Sequence, residues 1–160
     1  MKRITSLLLA LVMLLALAGC GNSANGGSSA VKSADLSAFL EDVTSKQEAA
    51  METLPADALE TFYPGISDIE TKQCTGATAL ISAVASEILL VEVTNADDVA
   101  KVEEIMNARI SYQVGDGTSP GGAWYPEPTE QWKNNSRVTS NGNYVMLVAV
   151  DGADSVVESF

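Results

Sequence analysis

Histidine is absent from this 160-residue sequence, and only two cysteines occur, Cys20 and Cys74. Without histidine, the chain can form neither a Ser/His/Asp or Cys/His catalytic arrangement nor a histidine-containing metal site. Basic side chains are also scarce, since nine Lys and Arg face 21 Asp and Glu and give a net charge of -12. An acidic surface repels phosphate backbones and anionic lipid headgroups, so we expect no nucleic-acid binding.

Further absences bear on metal and redox chemistry. No Asp-x-Asp-x-Asp-Gly calcium loop occurs, and the acidic residues at 97–98 and 103–104 suit the solvated face of a helix. After Cys20, Cys74 is the only cysteine, so the domain has no internal disulfide. A lone cysteine in a strand-like segment is typical of a small buried hydrophobic residue. We therefore predict neither a metal nor a cofactor.

The amino terminus has the three-part layout of a secretory signal peptide. Lys2 and Arg3 precede an apolar stretch over residues 4–18, and the small residue Gly19 follows before Cys20. The apolar stretch is about 15 residues long, shorter than the roughly 20 residues that a bilayer-spanning helix needs. We predict that residues 1–19 direct export and are then removed.

The end of this segment, Leu17-Ala18-Gly19-Cys20, resembles the lipobox of bacterial lipoproteins. The resemblance implies cleavage before Cys20 and attachment of a diacylglycerol to its sulfur. Two or more acyl chains on one residue suffice for stable membrane anchoring. The expected location is the extracytoplasmic face of the cell membrane; the alternative is an ordinary signal peptide followed by a chance cysteine.

The residues after the anchor differ in composition from the rest of the chain. Residues 20–34 are rich in Gly, Ser and Asn, with Val31 as the one large apolar residue. Such a segment buries too little surface to offset its chain entropy, which predicts a flexible linker. The remaining residues, 35–160, have the length of a single domain with its own core.

Within the domain, hydrophobic spacing predicts an α+β fold. The run Glu87–Val93 is typical of a central strand, and Tyr144–Val150, apolar on both faces, is typical of an inner strand. We expect four antiparallel strands, with helices packed on one face of the sheet. The predicted order is helices at 35–54 and 56–62, a strand at 67–76, the strand Glu87–Val93, a helix at 95–113, a helical turn after Trp124, a hairpin turning at Asn141-Gly142, and a final helix at 151–160.

Several of these segments together resemble a known family. They are SEILLVEV and NADDVAKVEEIMNARI, the YPE at 125–127, GNYVMLVAV, and DGADSVVESF at the end. This pattern over about residues 36–160 is similar to the domain of unknown function 4358 family of bacterial lipoproteins, mostly from Firmicutes. The resemblance implies a surface-anchored domain without an assigned activity. The glycine-rich loop before Trp124 is longer than the connection usual in that family.

Arg109 stands out because its helical spacing places it within the apolar stripe of Val102 and Met106. A charge in that position needs a partner. Glu87 is the expected partner, because strand alternation places it on the same face as Leu89. We predict a Glu87–Arg109 ion pair that fixes the packing of helix on sheet; the alternative is that Arg109 binds a carboxylate or phosphate of a ligand.

Trp124, Tyr125 and Trp132 are close together in the sequence, beside the glycine-rich loop. Exposed aromatic side chains often serve binding, so these three residues are candidates for contacting a sugar ring or a peptide. The alternative is that they cap the end of the core, since tryptophan carries a large apolar area.

Two classes of function follow. The first is a non-catalytic domain that binds a cell-wall component or an envelope protein, and we favour it over an enzyme. The second is a small hydrolase acting on cell-wall glycan through Glu127 or Glu130, which requires a deep pocket and a carboxylate with a raised pKa. A third possibility is a spacer domain without a ligand.

Overall fold

Five antiparallel strands form one sheet in the part of the chain that the computed structural model describes, residues 34–118 and 121–160. The elements are α1 (Leu36–Thr44), β1 (Met51–Thr53), α2 (Ala56–Phe62), β2 (Thr71–Ala79), β3 (Glu87–Val93), α3 (Val99–Val114), α4 (Pro126–Asn135), β4 (Ser136–Asn141), β5 (Tyr144–Ala149) and α5 (Ala153–Ser159). The strand order is β1-β2-β3-β5-β4. The α+β class is confirmed, with five strands rather than about four.

The additional strand, β1, replaces the second half of the helix predicted over residues 35–54. Helix α1 ends at Thr44, and Met51–Thr53 pairs with Ala77–Ala79 of β2. Val43 is the last buried residue of α1, and the next positions on that face of the helix are polar. A longer helix would have no apolar face to bury, so the chain leaves the helix.

Helices cover both faces of the sheet, so the prediction of helices on one face is wrong. One core combines Leu89, Val91, Val93, Val145 and Leu147 with residues of α2, α3 and α4. The other combines Ile88, Leu90, Met146 and Val148 with residues of α1 and α5. The physical reason lies in the central strands, because β3 is buried at every position and β5 at all but its first. Strands that are apolar on both sides need a cover on both sides.

The β4–β5 hairpin turns one residue later than predicted. Asn141 pairs with Tyr144, so the two-residue loop is Gly142-Asn143 rather than Asn141-Gly142. Gly142 has a φ of +60° and Asn143 does not have a positive φ, which is the pattern of a type II′ turn. Glycine is therefore needed at the first loop position.

Two other element boundaries differ from the predicted ones. The segment 67–76 contributes a strand only from Thr71 onward, and a 3₁₀ turn over Ile66–Asp68 precedes it. The helix predicted over 95–113 starts with a 3₁₀ turn, Ala96–Asp98, which Asn95 caps by accepting a hydrogen bond from the Asp97 amide. Neither change moves Arg109 from the buried face of α3.

Residues 34–160 form one compact unit. The predicted signal peptide, Cys20 and the linker through residue 33 lie outside the described residues. Of the helices that the structure describes, none combines the length and apolar character needed to cross a membrane.

Candidate functional site

A cleft of about 440 Å³ opens at one end of the sheet, on the face that α2, α3 and α4 cover. We call it the Arg109 cleft; its lining includes Phe62 of α2, residues 78–82 and 84–87 of β2, β3 and their connection, Arg109, Tyr112 and Gln113 of α3, and Trp132 of α4. Glu87 begins β3 at this end, between Thr78 of β2 and Ala149 of β5. Five elements, α2, β2, β3, α3 and α4, therefore bring residues to one place.

The structure pairs Arg109 with Glu87, the partner that the strand alternation predicts. Arg109 Nε donates to Glu87 Oε1 at 2.9 Å and Nη2 donates to Oε2 at 2.7 Å, a two-pronged contact. Both residues are buried, and Arg109 is 7% exposed. Because Glu87 occupies this face of the guanidinium, Arg109 cannot offer the same pair of donors to a carboxylate or phosphate ligand.

Tyr63 extends the ion pair into a three-residue network. Its hydroxyl donates to Glu87 Oε1 at 2.5 Å, and the residue is fully buried at the end of α2. Glu87 thus accepts hydrogen bonds on both carboxylate oxygens, as a buried carboxylate requires. The sequence predicts the end of a helix at residue 62, just before Tyr63, but gives no signal for this role.

Aromatic rings surround the Arg109 guanidinium. Its central carbon lies 4.2 Å from the centre of the Phe62 ring and 5.8 Å from that of Trp132, and the rings of Tyr63 and Tyr112 lie at 5.9 Å each. A cation over an aromatic face gains roughly 0.5–2 kcal/mol, more when water is excluded. The charge of Arg109 is therefore stabilised from several sides.

Burial and the ion pair shift two pKa values in this network. Burial by itself lowers the pKa of Arg109, but the hydrogen bond and charge of Glu87 outweigh it, and the net shift is upward. Burial raises the pKa of Tyr63 well above its ordinary value of 10.0, and the negative charge of Glu87 adds to this. Arg109 is thus charged and Tyr63 neutral at physiological pH.

The raised pKa of Tyr63 predicts a loss of stability in alkali. The unfolded chain releases the tyrosine proton near pH 10.0, whereas the folded protein holds it to higher pH. The contribution of Tyr63 to the free energy of unfolding is therefore fully present below pH 10 and decreases as the pH rises above 10. Tyr63→Phe should lower the unfolding free energy by about 1.5–3 kcal/mol at pH 8, because a hydrogen bond to a charged group is lost.

Urea denaturation of the wild type and Tyr63→Phe at pH 8 and pH 11 measures this effect. The stability difference between the two proteins should narrow at pH 11, since the variant lacks the titrating group. Burial also raises the pKa of Cys74, but both proteins share that thiol and its contribution cancels. A difference that stays constant from pH 8 to pH 11 would contradict the assignment.

Gln113 lies one helical turn after Arg109 on the same face of α3, and the sequence reading missed it. The residue is buried, and its Oε1 has no hydrogen-bond partner among the residues that the structure describes. The spacing Val102, Met106, Arg109, Gln113 is a signal that could have identified it, because it continues the buried stripe.

The glycine-rich loop returns to the end of α3 and packs against it. The amides of Gly122 and Ala123 donate to the carbonyls of Tyr112 and Gln113. A Cβ on Gly122 would lie 2.4 Å from the Tyr112 ring and 2.5 Å from Gln113 Oε1, so no larger side chain fits there without rearrangement. This close approach determines the wall of the Arg109 cleft next to Gln113.

The three aromatic candidates occupy different environments. Trp132 is 2% exposed and belongs to the core, where it also forms part of the cleft floor. Trp124 is 72% exposed and Tyr125 is also exposed. Trp124 has a φ of +39°, a left-handed conformation that is uncommon for a bulky residue and often marks functional sites.

Exposed apolar side chains concentrate around this end of the domain. In the described part of the chain, the exposed large hydrophobic residues are Leu80, Ile81, Tyr112, Trp124 and Tyr125. Leu80, Ile81 and Tyr112 line the Arg109 cleft, while Tyr112 and Trp124 line a neighbouring shallow groove. We call these four residues the apolar rim.

The candidates for hydrolysis and metal binding lie elsewhere. Glu127 and Glu130 are exposed on α4 and do not line the Arg109 cleft. The neighbouring Lys133 lowers the pKa of Glu130, opposite to the direction that a general acid requires. Among the residues described, no group of three or more acidic or cysteine side chains is placed to hold a metal ion.

A second buried acid lies at the other end of β3. Glu92 accepts a hydrogen bond from Gln73 Nε2 at 2.6 Å, and the same nitrogen lies 2.7 Å from the carbonyl oxygen of Ala34. Ala34, the first described residue, also donates to the hydroxyl of Tyr144. Glu92 lies five positions after Glu87 in β3, about 17 Å away at the usual rise. The domain therefore begins at the end of the sheet opposite to the Arg109 cleft.

Comparison of the chain with protein-family models, with curated proteins and with solved structures gives no match. The resemblance to the domain of unknown function 4358 family therefore stays a prediction from the sequence. The site must be interpreted from its own geometry.

Proposed function

We propose that this protein is a lipoprotein, anchored through Cys20 to the extracytoplasmic face of the cell membrane, whose domain binds a partner at the cell envelope without catalysis. The observation that carries the proposal is the apolar rim around the Arg109 cleft. A cluster of exposed large hydrophobic side chains at one end of a domain is typical of an interaction site.

The position of the cleft supports this proposal. The domain begins at Ala34, at the end of the sheet opposite to the cleft. Ala34 is thus distant from the cleft. The hydrolase alternative lacks similar support, because Glu127 and Glu130 are exposed on α4 outside the cleft.

The charge distribution limits the kind of partner. All 21 acidic residues lie at or after Asp35, and the six Lys and Arg of the domain are each in an ion pair with one of them. Within the domain, 21 acidic residues thus face six basic ones, an excess of 15. An anionic wall polymer or lipid headgroup would be repelled, so we propose a neutral or basic partner.

Cross-linking in intact cells, followed by recovery of the tagged full-length chain, tests the binding function. The wild type should recover a specific partner, and Ile81→Ser combined with Trp124→Ser should lose it, because both rim side chains contribute apolar contact. Glu130→Ala is the matched control, since it removes an exposed side chain of the same domain outside the cleft. Equal recovery by the rim variant and the wild type would contradict binding at the rim.

A further inference from the structure

The side-chain amide of Gln113 is an unsatisfied group in the wall of the Arg109 cleft. The residue is 9% exposed, and its Oε1 has no partner in the described part of the chain. Folded proteins rarely leave a buried carbonyl oxygen without a donor. Rotation about the last side-chain torsion exchanges Oε1 and Nε2, and this torsion has a broad minimum. The Gln113 amide can therefore form a hydrogen bond with a ligand in the cleft, through either its oxygen or its nitrogen, without a backbone movement.

Arg109 supplies hydrogen-bond donors one turn earlier on α3. Two of the five N–H groups of its guanidinium are donated to Glu87, and the other three have no partner within the described residues. Because Glu87 neutralises the charge, the guanidinium favours a neutral acceptor over an anion. Residues four apart on a helix lie one above the other, about 5–6 Å between their Cβ atoms.

A secondary amide matches this pair of groups. Its carbonyl oxygen accepts from Arg109, and its N–H donates to the oxygen of Gln113. We infer that the Arg109 cleft binds an uncharged peptide segment, recognised at a backbone amide by Arg109 and Gln113 and at an aliphatic side chain by Leu80 and Ile81. This inference rests on the proposed binding function and names the class of its ligand.

The two aliphatic residues of the rim favour a peptide over an N-acetylated sugar, which also carries a secondary amide. Leu80 and Ile81 are branched aliphatic side chains, 56% and 63% exposed, and they lie in the connection that lines the cleft. Sugar rings stack on flat aromatic faces, whereas aliphatic side chains pack on other aliphatic groups. Glu52 also lines the cleft, and its charge disfavours an acidic peptide.

In the experiment, the full-length chain is captured on a lipid-coated surface, and phage that display random 12-residue peptides are selected for binding to it. A lipid-coated surface without the protein serves as the blank. Enriched peptides should share an uncharged segment that contains an aliphatic position. Surface plasmon resonance of one enriched peptide should then show about 10-fold weaker binding to Gln113→Leu, the change expected for one lost hydrogen bond. N-methylation of the contacting amide should weaken binding by a similar factor.

Stability separates this role from a structural one. Gln113→Leu removes a buried oxygen without a partner, so its urea midpoint should equal or exceed that of the wild type. Gln131→Leu, at a half-buried glutamine of α4 outside the cleft, should leave peptide binding unchanged. Equal peptide binding by the wild type and Gln113→Leu would overturn the assignment.

Two further outcomes would also overturn the inference. The first is that no peptide is enriched, which would exclude a peptide ligand. The second is that the wild type binds tetra-N-acetylchitotetraose but no peptide, and that Gln113→Leu weakens this binding to the sugar. The proposed function fails on a different observation, namely equal partner recovery from cells by the wild type and the rim variant.

Discussion

Arg109→Met should lower the free energy of unfolding by about 3–5 kcal/mol, the cost of leaving a buried charge without its partner. Glu87 is 2% exposed, and in the variant only the Tyr63 hydroxyl would still contact its carboxylate. The contacts of the guanidinium with the surrounding rings would be lost as well. Since small domains are stable by about 5–15 kcal/mol, this is a large fraction of the total. Urea denaturation at pH 7 measures it.

The other arginine of the domain provides the matched control. Arg137 pairs with Asp154 at 2.9 Å, but both side chains are exposed to solvent. Arg137→Met should therefore cost less than about 1 kcal/mol. The triple variant Tyr63→Phe/Glu87→Leu/Arg109→Met should recover most of the lost stability, because neither an unpaired charge nor the Tyr63 hydroxyl without its acceptor stays in the core. A cost below about 1 kcal/mol for Arg109→Met itself would contradict a buried pair.

Cys20→Ser should move the protein from the membrane fraction to the soluble fraction. Each buried methylene of an acyl chain contributes about 0.8 kcal/mol, and two chains give stable anchoring whereas a single chain binds only marginally. The serine hydroxyl cannot take the thioether-linked diacylglycerol, so the variant should lose the whole contribution. Membrane fractionation followed by immunoblotting measures the distribution. Cys20 lies outside the described residues, so this prediction rests on the sequence pattern.

Cys74→Ser is the matched control for the anchor, because it makes the same substitution at the only other cysteine. Cys74 lies in β2 as a free, partly buried thiol, and the variant should stay in the membrane fraction. Retention of Cys20→Ser in the membrane would contradict the lipobox assignment. Release of the wild type itself would instead favour an ordinary signal peptide.

The two uses proposed for the site are compatible. The Glu87–Arg109 pair sets how α3 packs on β3, and Arg109, which has three N–H groups that Glu87 does not use, also lines the cleft. A rigid pair that presents the remaining donors in one orientation lowers the entropy lost on binding. Arg109→Met would therefore reduce both stability and binding, whereas Gln113→Leu should reduce binding alone.

Long periodic segments could be predicted from the sequence. The strand Glu87–Val93 is confirmed with its predicted bounds, and α3 has the predicted buried stripe around Val102 and Met106. The same periodicity placed Arg109 in the core and Glu87 opposite to it, as the structure has them. Hydrophobic spacing is a local signal, and long elements repeat it often enough to identify the buried face.

Short and non-local features could not be predicted in this way. β1 has three residues, too few to show a period, and it exists because β2 offers an edge to pair with. The roles of Tyr63 and Gln113 depend on the chain bringing the end of α2 and the glycine-rich loop to α3. The strands β3 and β5 are apolar on both sides, which indicates that helices pack on both faces of the sheet. The prediction of helices on one face overlooked this signal.

The sequence by itself determined the charge balance, the lack of histidine chemistry, the α+β class and the need of Arg109 for an acidic partner. These properties depend on composition and on local periodicity. Only the tertiary structure decided that four aromatic rings, that of Tyr63 among them, surround the Arg109 guanidinium, that Trp132 is buried while Trp124 is exposed, and that Gln113 Oε1 is unsatisfied among the described residues. The reason is physical, because burial and hydrogen-bond satisfaction depend on side chains from distant segments that meet only in the folded chain.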